Sequence, residues 1–165
     1  MRELLALRLA EFDAQPFALS MTAKLDAPPY AVFAELADPS LWFPTMRRSV
    51  WKTGATSGVD AEREVDVIGF GRFRERMLAW DASERVAFTM IGSTSPLFVQ
   101  LGEDFQIESD SRIRWRLVGR PTVLGRALVP ALRPIVRAMF RRALDNLEKR
   151  AAAYPQQRPH RGEAS

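Results

Sequence analysis

Three ionisable side chains, Arg63, Glu75 and Glu103, stand at positions that the alternation around them reserves for apolar residues. Gly69 and Gly71 mark a turn within Val59 to Trp80. A hairpin folded there sets Glu62 against Arg76, Glu64 against Arg74 and Asp66 against Arg72. Three opposite-charge pairs on one face fix the register, because a one-residue slip breaks all of them at once. The other face then matches Val65 with Phe73, Val67 with Gly71 and Arg63 with Glu75. A guanidinium and a carboxylate on an apolar surface must pair if they are buried. Such a pair orients a ligand carbonyl or hydroxyl, with Glu75 as candidate general base and Arg63 as its partner. Equally, it neutralises itself as a structural ion pair near the sheet edge. Both readings stand on the sequence alone.

Glu103 arises from a second hairpin with Ser109-Asp-Ser111 as its loop. Its outer face pairs Asp104 with Arg116, Gln106 with Arg114 and Glu108 with Arg112; its inner face pairs Glu103 with Leu117, Phe105 with Trp115 and Ile107 with Ile113. Two hairpins that each have one charged and one mainly apolar face describe an antiparallel sheet, wet on one side and covered on the other.

Other chemistries are excluded by composition. The chain has no cysteine, which removes thiolate nucleophiles, disulfides and Cys-ligated metals. Its one histidine, His160, lies in a polar tail, so neither Ser-His-Asp catalysis nor a His-rich metal site is available. No metal or cofactor is expected. The proportions of 47% hydrophobic and 27% charged residues in 165 are those of one soluble globular domain. Glu3, Arg8 and Glu11 interrupt the N-terminus too often for a signal peptide, and no apolar run reaches transmembrane length, so a cytoplasmic location is expected.

The net charge of +4 is unevenly spread: residues 1–119 carry −3 and residues 120–165 carry +7. This leaves a weak membrane-surface contact open. The outward arginines 72, 74, 76, 112, 114 and 116 mostly face an acidic or amide partner and have no aromatics interleaved, which argues against nucleic acid.

The cover for the sheet is Leu128 to Ala152. Its stripe of Leu128, Leu132, Ile135, Val136, Met139, Phe140, Ala143, Leu144 and Leu147 predicts a long amphipathic helix, with Arg133, Arg137 and Arg141 on the other face. Pro130 and Pro134 predict a separate turn or a kink over Thr122 to Val129. Upstream, Phe17 to Leu25 alternates as a strand, and Asp26 is placed to cap a short helix carrying Val32, Phe33 and Leu36 inward. A further helical turn at Ser40 to Pro44 presents Trp42 and Phe43, and a strand follows from Arg48 to Thr53 with a turn at Gly54 and Gly58. Arg85 to Ile91 and Leu97 to Leu101 are strand, with the facing of Val86, Phe88 and Met90 undetermined. Residues 1–16 are set apart as an N-terminal extension, 17–152 as the domain, and 153–165 as a disordered polar tail. Within the extension, residues 2–12 predict a short helix, either an appendage or a dimer contact; the chain is a monomer or a homodimer.

This order resembles the SRPBCC superfamily with its helix-grip fold: START lipid-transfer domains, Bet v 1-like plant allergens and polyketide cyclase/dehydrase-like proteins. The resemblance is carried by Ala27-Pro-Pro-Tyr-Ala-Val-Phe33, Asp38-Pro-Ser-Leu-Trp-Phe-Pro44, Phe73 to Asp81 followed by Glu84-Arg-Val-Ala-Phe88, and Ile113-Arg-Trp115. It implies an α+β fold, a sheet of about six to seven antiparallel strands wrapped on a long C-terminal helix, with two short helices after the first strand. It also implies a hydrophobic small-molecule ligand, lipid-like or polyketide-like, held between sheet and helix; the alternative is a cyclase/dehydratase-type enzyme using the same space. The candidate ligand-binding surface is Trp42, Phe43, Arg63, Val65, Phe73, Glu75 and Met77 from the first half. Phe88, Glu103, Phe105, Trp115, Val136, Met139 and Phe140 complete it. Trp42 and Phe43 either close the mouth as a lid or pack beneath the terminal helix.

Overall fold

The structure is a computed structural model that describes residues 1–52 and 57–154. The turn residue Gly54, the end of the expected strand at Thr53 and the tail from Pro155 onward, with His160, lie outside the described residues.

Among the described residues eight strands form one antiparallel sheet: β1 (Arg2–Glu3), β2 (Phe17–Lys24), β3 (Met46–Trp51), β4 (Glu62–Val67), β5 (Gly71–Asp81), β6 (Arg85–Ser93), β7 (Phe98–Ile107) and β8 (Arg112–Pro121). Their order is β2-β8-β7-β6-β5-β4-β3, with β1 paired to β6. Helix α1 (Pro29–Leu36) and a 3-10 turn (Pro39–Leu41) fall between β2 and β3, and α2 (Val123–Ala152) ends the fold. This is the α+β helix-grip architecture.

Both hairpins adopt the registers that charge pairing predicts, including Arg63 opposite Glu75, Glu103 opposite Leu117 and Phe105 opposite Trp115. The side chains use those registers unevenly. Arg76 closes on Glu62 at 2.8 Å, whereas Glu64 turns to Lys52 at 3.3 Å and Arg112 to Asp110 at 3.4 Å. Opposite charge on a pleated face sets which strands align; exposed side chains then choose among several partners of similar energy.

The outer face differs from the expectation of a wet surface. Residues 2–12 do not form the expected helix, apart from a single 3-10 turn at Leu9–Glu11. Arg2 and Glu3 pair with Ser93 and Gly92, Leu4 N donates to Ile91 O, and Leu5 N donates to Val99 O. The segment thereby fills the space where β6 and β7 separate beyond Thr89 and Gly102, the last of their paired residues. Free strand edges supply backbone partners that an isolated short helix in water lacks, and they outweigh helical propensity. Leu7 N then donates to Thr89 Oγ1, and Phe12 seats its ring over Gly102, where an added Cβ would lie 2.8 Å from that ring. Leu7, Phe12 and Val118 form a second small core, with Leu9 and Leu78 packed beside it. Beneath this strap Asp104 is wholly buried and bound by Arg85 at 2.8 Å and Arg116 at 3.4 Å.

Helix α2 is continuous through both prolines rather than broken before Pro130. Pro130 and Pro134 are exposed, so the carbonyls they free are open to water. Thr122 caps the start, its Oγ1 accepting from Gly125 N at 3.0 Å, and Gly125 lets the helix approach Leu97 O to where a Cβ would be 2.0 Å away. The stripe is divided. Phe140, Ala143, Leu144 and Leu147 are buried, but Leu128 and Ile135 face solvent, because the first half of the helix presents Gly125 and Val129 to the body instead. Helix α1 begins later than Asp26 would set it, with Pro28 as cap and Pro29 as first helical residue, where fixed φ substitutes for a side-chain cap. Asp26 N instead donates to Glu148 Oε1 of α2 at 3.0 Å.

Candidate functional site

Between the inner sheet face and α2 lies a cavity of about 120 Å³ whose wall is almost entirely apolar. Strand alternation brings Val65 and Phe73 from the first hairpin, Phe88 from β6, and Phe105 and Trp115 from the second hairpin to its lining; α2 adds Val136, Met139 and Phe140. Val86 and Met90 also line it, which settles the facing of β6. Met77, the remaining candidate, is fully buried but lies in the core away from the cavity wall. A bulge between Met77 and Ala79 in the pairing with β6 accompanies this change of course.

The wall is held by an aromatic stack. Trp115 lies parallel to Phe140 with ring centres 3.7 Å apart and stacks on Phe105 at 4.8 Å. Trp42 and Phe43 meet Trp115 edge-on at 5.9 Å each. Of the two roles open to them, the structure packs them under the terminal helix. Trp42 Nε1 donates to Glu35 O at 2.8 Å, and Asn146 Nδ2 of α2 donates to Trp42 O at 3.0 Å. Trp42, which closes the 3-10 turn, is thus tied to α1 and to α2, and the two aromatics form fixed wall.

Arg63, Glu75 and Glu103 all reach the cavity lining. Arg63 and Glu75 are 2% and 3% exposed, and their pairing is direct: Arg63 Nε and Nη2 both lie 2.8 Å from Glu75 Oε2. Arg63 Nη1 donates to Leu36 O at 3.3 Å and Ala37 O at 3.2 Å, satisfying carbonyls at the end of α1. Its guanidinium also sits over Trp51 and Phe88, 5.2 and 5.4 Å from the ring centres. Arg63 is therefore a junction between β4, β5 and α1, and its donors are largely occupied. Burial pushes the Glu75 carboxyl up, against the charge and hydrogen bonds of Arg63.

Glu103 is held differently. Trp115 Nε1 donates to its Oε2 at 2.7 Å, and among the described residues nothing bonds Oε1. Glu103 is partly buried and lines the cavity. Burial raises its carboxyl to about 8, with the negative charge of Glu75 adding to the effect; the Trp115 hydrogen bond and Arg63 pull the other way. At neutral pH Glu103 is a carboxylic acid. A proton-bearing carboxyl and an arginine-paired carboxyl thus line one apolar chamber, the separation of roles that acid–base chemistry uses.

Two features have no signal in the local sequence. Arg133 lines the cavity from α2, with Nη2 donating to Ala18 O at 2.6 Å and its guanidinium over Phe17. Glu35, buried on α1, pairs with Arg150 at 2.5 Å and fixes the far end of α2. Both are tertiary contacts across more than a hundred residues, for which no local spacing exists. Among the described residues no group of acidic or histidine side chains could hold a metal ion, and no helix is long and apolar enough to cross a membrane.

A family model described as polyketide cyclase/dehydrase and lipid transport matches residues 16–152. No curated protein matches the chain. Among solved structures it is similar to major latex-like protein 151 of Panax ginseng, at 10% identity and TM-score 0.66 over 81% of this chain and 95% of that one. A Thermus thermophilus protein aligns at 18% identity and TM-score 0.65, over 83% and 98%. A START superfamily protein of Mycobacterium smegmatis aligns at 14% identity and TM-score 0.63, over 80% and 97%. At these identities the structures share a fold with this chain.

Proposed function

The chain belongs to the polyketide cyclase/dehydrase and lipid transport family of the SRPBCC superfamily, and from that premise we propose that it binds or carries a hydrophobic small molecule, lipid-like or polyketide-like, between its sheet and its terminal helix. The family's fold is one that binds hydrophobic ligands. The observation that carries the proposal is the chamber itself: an aromatic-walled space left unfilled in a core that otherwise packs ring on ring. Unfilled apolar space lowers stability, and an occupant would restore the contacts that the void forgoes. Its volume of about 120 Å³ is near that of engineered apolar cavities of about 150 Å³ that take up benzene. It holds a ring or a short alkyl segment, and a longer ligand would extend outward along the part of the lining formed by Phe17, Phe98 and Val129.

Titration with toluene tests this by calorimetry. The protein is expected to bind it saturably, and Val136→Trp, which places an indole in the chamber, is expected to abolish the signal while the melting temperature holds. Absence of toluene binding, or binding unaffected by the filled chamber, overturns the proposal.

The two carboxyls favour a second reading, a cyclase/dehydratase-type enzyme in which Glu103 gives a proton to a bound carbonyl and Glu75 takes one from carbon. In that case Glu75→Gln removes turnover of a polyketide-like substrate and leaves toluene binding in place. If Glu75→Gln chiefly unfolds the protein, the Arg63–Glu75 pair is structural and the enzyme reading fails.

A further inference from the structure

Resting on the ligand-binding reading, we infer that the cavity selects an uncharged ligand bearing a carbonyl oxygen, a ketone or an ester, which accepts a hydrogen bond from Glu103, and that it rejects carboxylates. The geometry is specific on both points. Glu103 lines the cavity, with one oxygen fixed by Trp115 and the other without a protein partner among the described residues. An O–H aimed into an apolar space without an acceptor is unfavourable, and a ligand oxygen removes that penalty.

Beside Glu103 the buried charges cancel, and the one cation of the lining without a carboxylate partner among the described residues, Arg133, sits over Phe17. From β4 comes Arg63, from β5 Glu75, from β8 the Trp115 indole, and from α2 Arg133; β6 contributes only apolar side chains, Phe88 and Met90 among them. Arg63 is cancelled by Glu75, and its other donors serve Leu36 O and Ala37 O. Arg133 is exposed and bonded to Ala18 O. A carboxylate entering beside Glu103 would therefore meet two carboxyls, with Arg63 already cancelled and the unpaired Arg133 held away at Ala18 and Phe17, in a medium that penalises unpaired charge. Burial keeps the Glu103 proton in place until about pH 8, so the donor is present through neutral pH and lost above it.

Matched small aromatics separate this inference from the reading beneath it. At about pH 6.5 acetophenone is expected to bind roughly three- to tenfold more tightly than toluene, the worth of one hydrogen bond, and benzoate at least tenfold more weakly than acetophenone. At about pH 9.5 the acetophenone advantage should vanish while toluene binds as before. Glu103→Leu should level acetophenone with toluene at both pH values. Glu103→Gln, whose amide both accepts from Trp115 and donates to the ligand, should keep the preference and make it independent of pH. Benzoate binding as tightly as acetophenone, or a ketone preference that survives Glu103→Leu, overturns the inference. Should the leucine variant fail to fold, a glutamine variant whose preference still falls with pH overturns it instead. Failure of toluene itself to bind removes the ligand-binding reading, a separate result.

Discussion

The two faces of the sheet are covered in opposite ways. Helix α2 covers the inner face as a rigid rod that touches down at Gly125 and Val129 and again from Phe140 onward, leaving a chamber between. Residues 2–13 cover the outer face as a strap, extended but for a 3-10 turn at Leu9–Glu11, that follows the surface, seats Phe12 on Gly102 and ties Asp13 to Arg116 at 2.7 Å. A helix has a fixed radius and must bridge over unevenness, whereas extended chain conforms to it. The chamber is accordingly confined to the face under the helix. Ionisable groups under each cover differ in the same sense. Asp104 on the outer face is saturated by two arginines, while Glu103, its neighbour in sequence, points inward with one oxygen unbonded among the described residues.

The sharpest way to break that comparison is at the inner ion pair. Arg63→Met strands Glu75 in an apolar site and opens the end of α1; the expected loss is roughly 3–5 kcal/mol in urea denaturation, part of it recovered by adding Glu75→Leu. Next comes the proton on Glu103. Its carboxyl is raised in the folded state from 4.5 to about 8, so the folded protein holds a proton that the unfolded chain releases. Its contribution is complete below about pH 4.5, declines as pH rises, and is gone above about 8, at up to about 1.4 kcal/mol per pH unit. Glu103→Gln should flatten this dependence in thermal melts taken across the window. On the outer face, Leu7→Ala is expected to cost about 2–3 kcal/mol and to leave toluene affinity unchanged, since the strap contributes no wall to the chamber. Smallest is Arg76→Ala, which removes a partly exposed pair with Glu62; a change below about 1 kcal/mol is expected, and a larger one would mean that surface charge fixes more than register.

Periodicity and charge are local codes, and wherever the fold obeys them the sequence was legible. The alternation of Glu62 to Arg76 and of Glu103 to Arg116 determined both hairpin registers, and with them the placing of Arg63, Glu75 and Glu103 on one face. The stripe from Phe140 to Leu147 likewise determined that a helix covers that face. Tertiary structure decided the rest. Residues 2–12 have the composition of a helix but meet unpaired strand backbone; Leu128 and Ile135 keep the period of the stripe yet overhang the body; Met77 keeps inward parity but lies beyond the cavity's edge. Whether Trp42 is lid or wall was settled by Glu35 and Asn146, which lie far from each other in sequence. Side-chain pattern specifies which face a residue occupies, because that depends on local geometry alone. Whether that face meets a neighbour, a void or water depends on chain segments that arrive from elsewhere, and only their packing determines it.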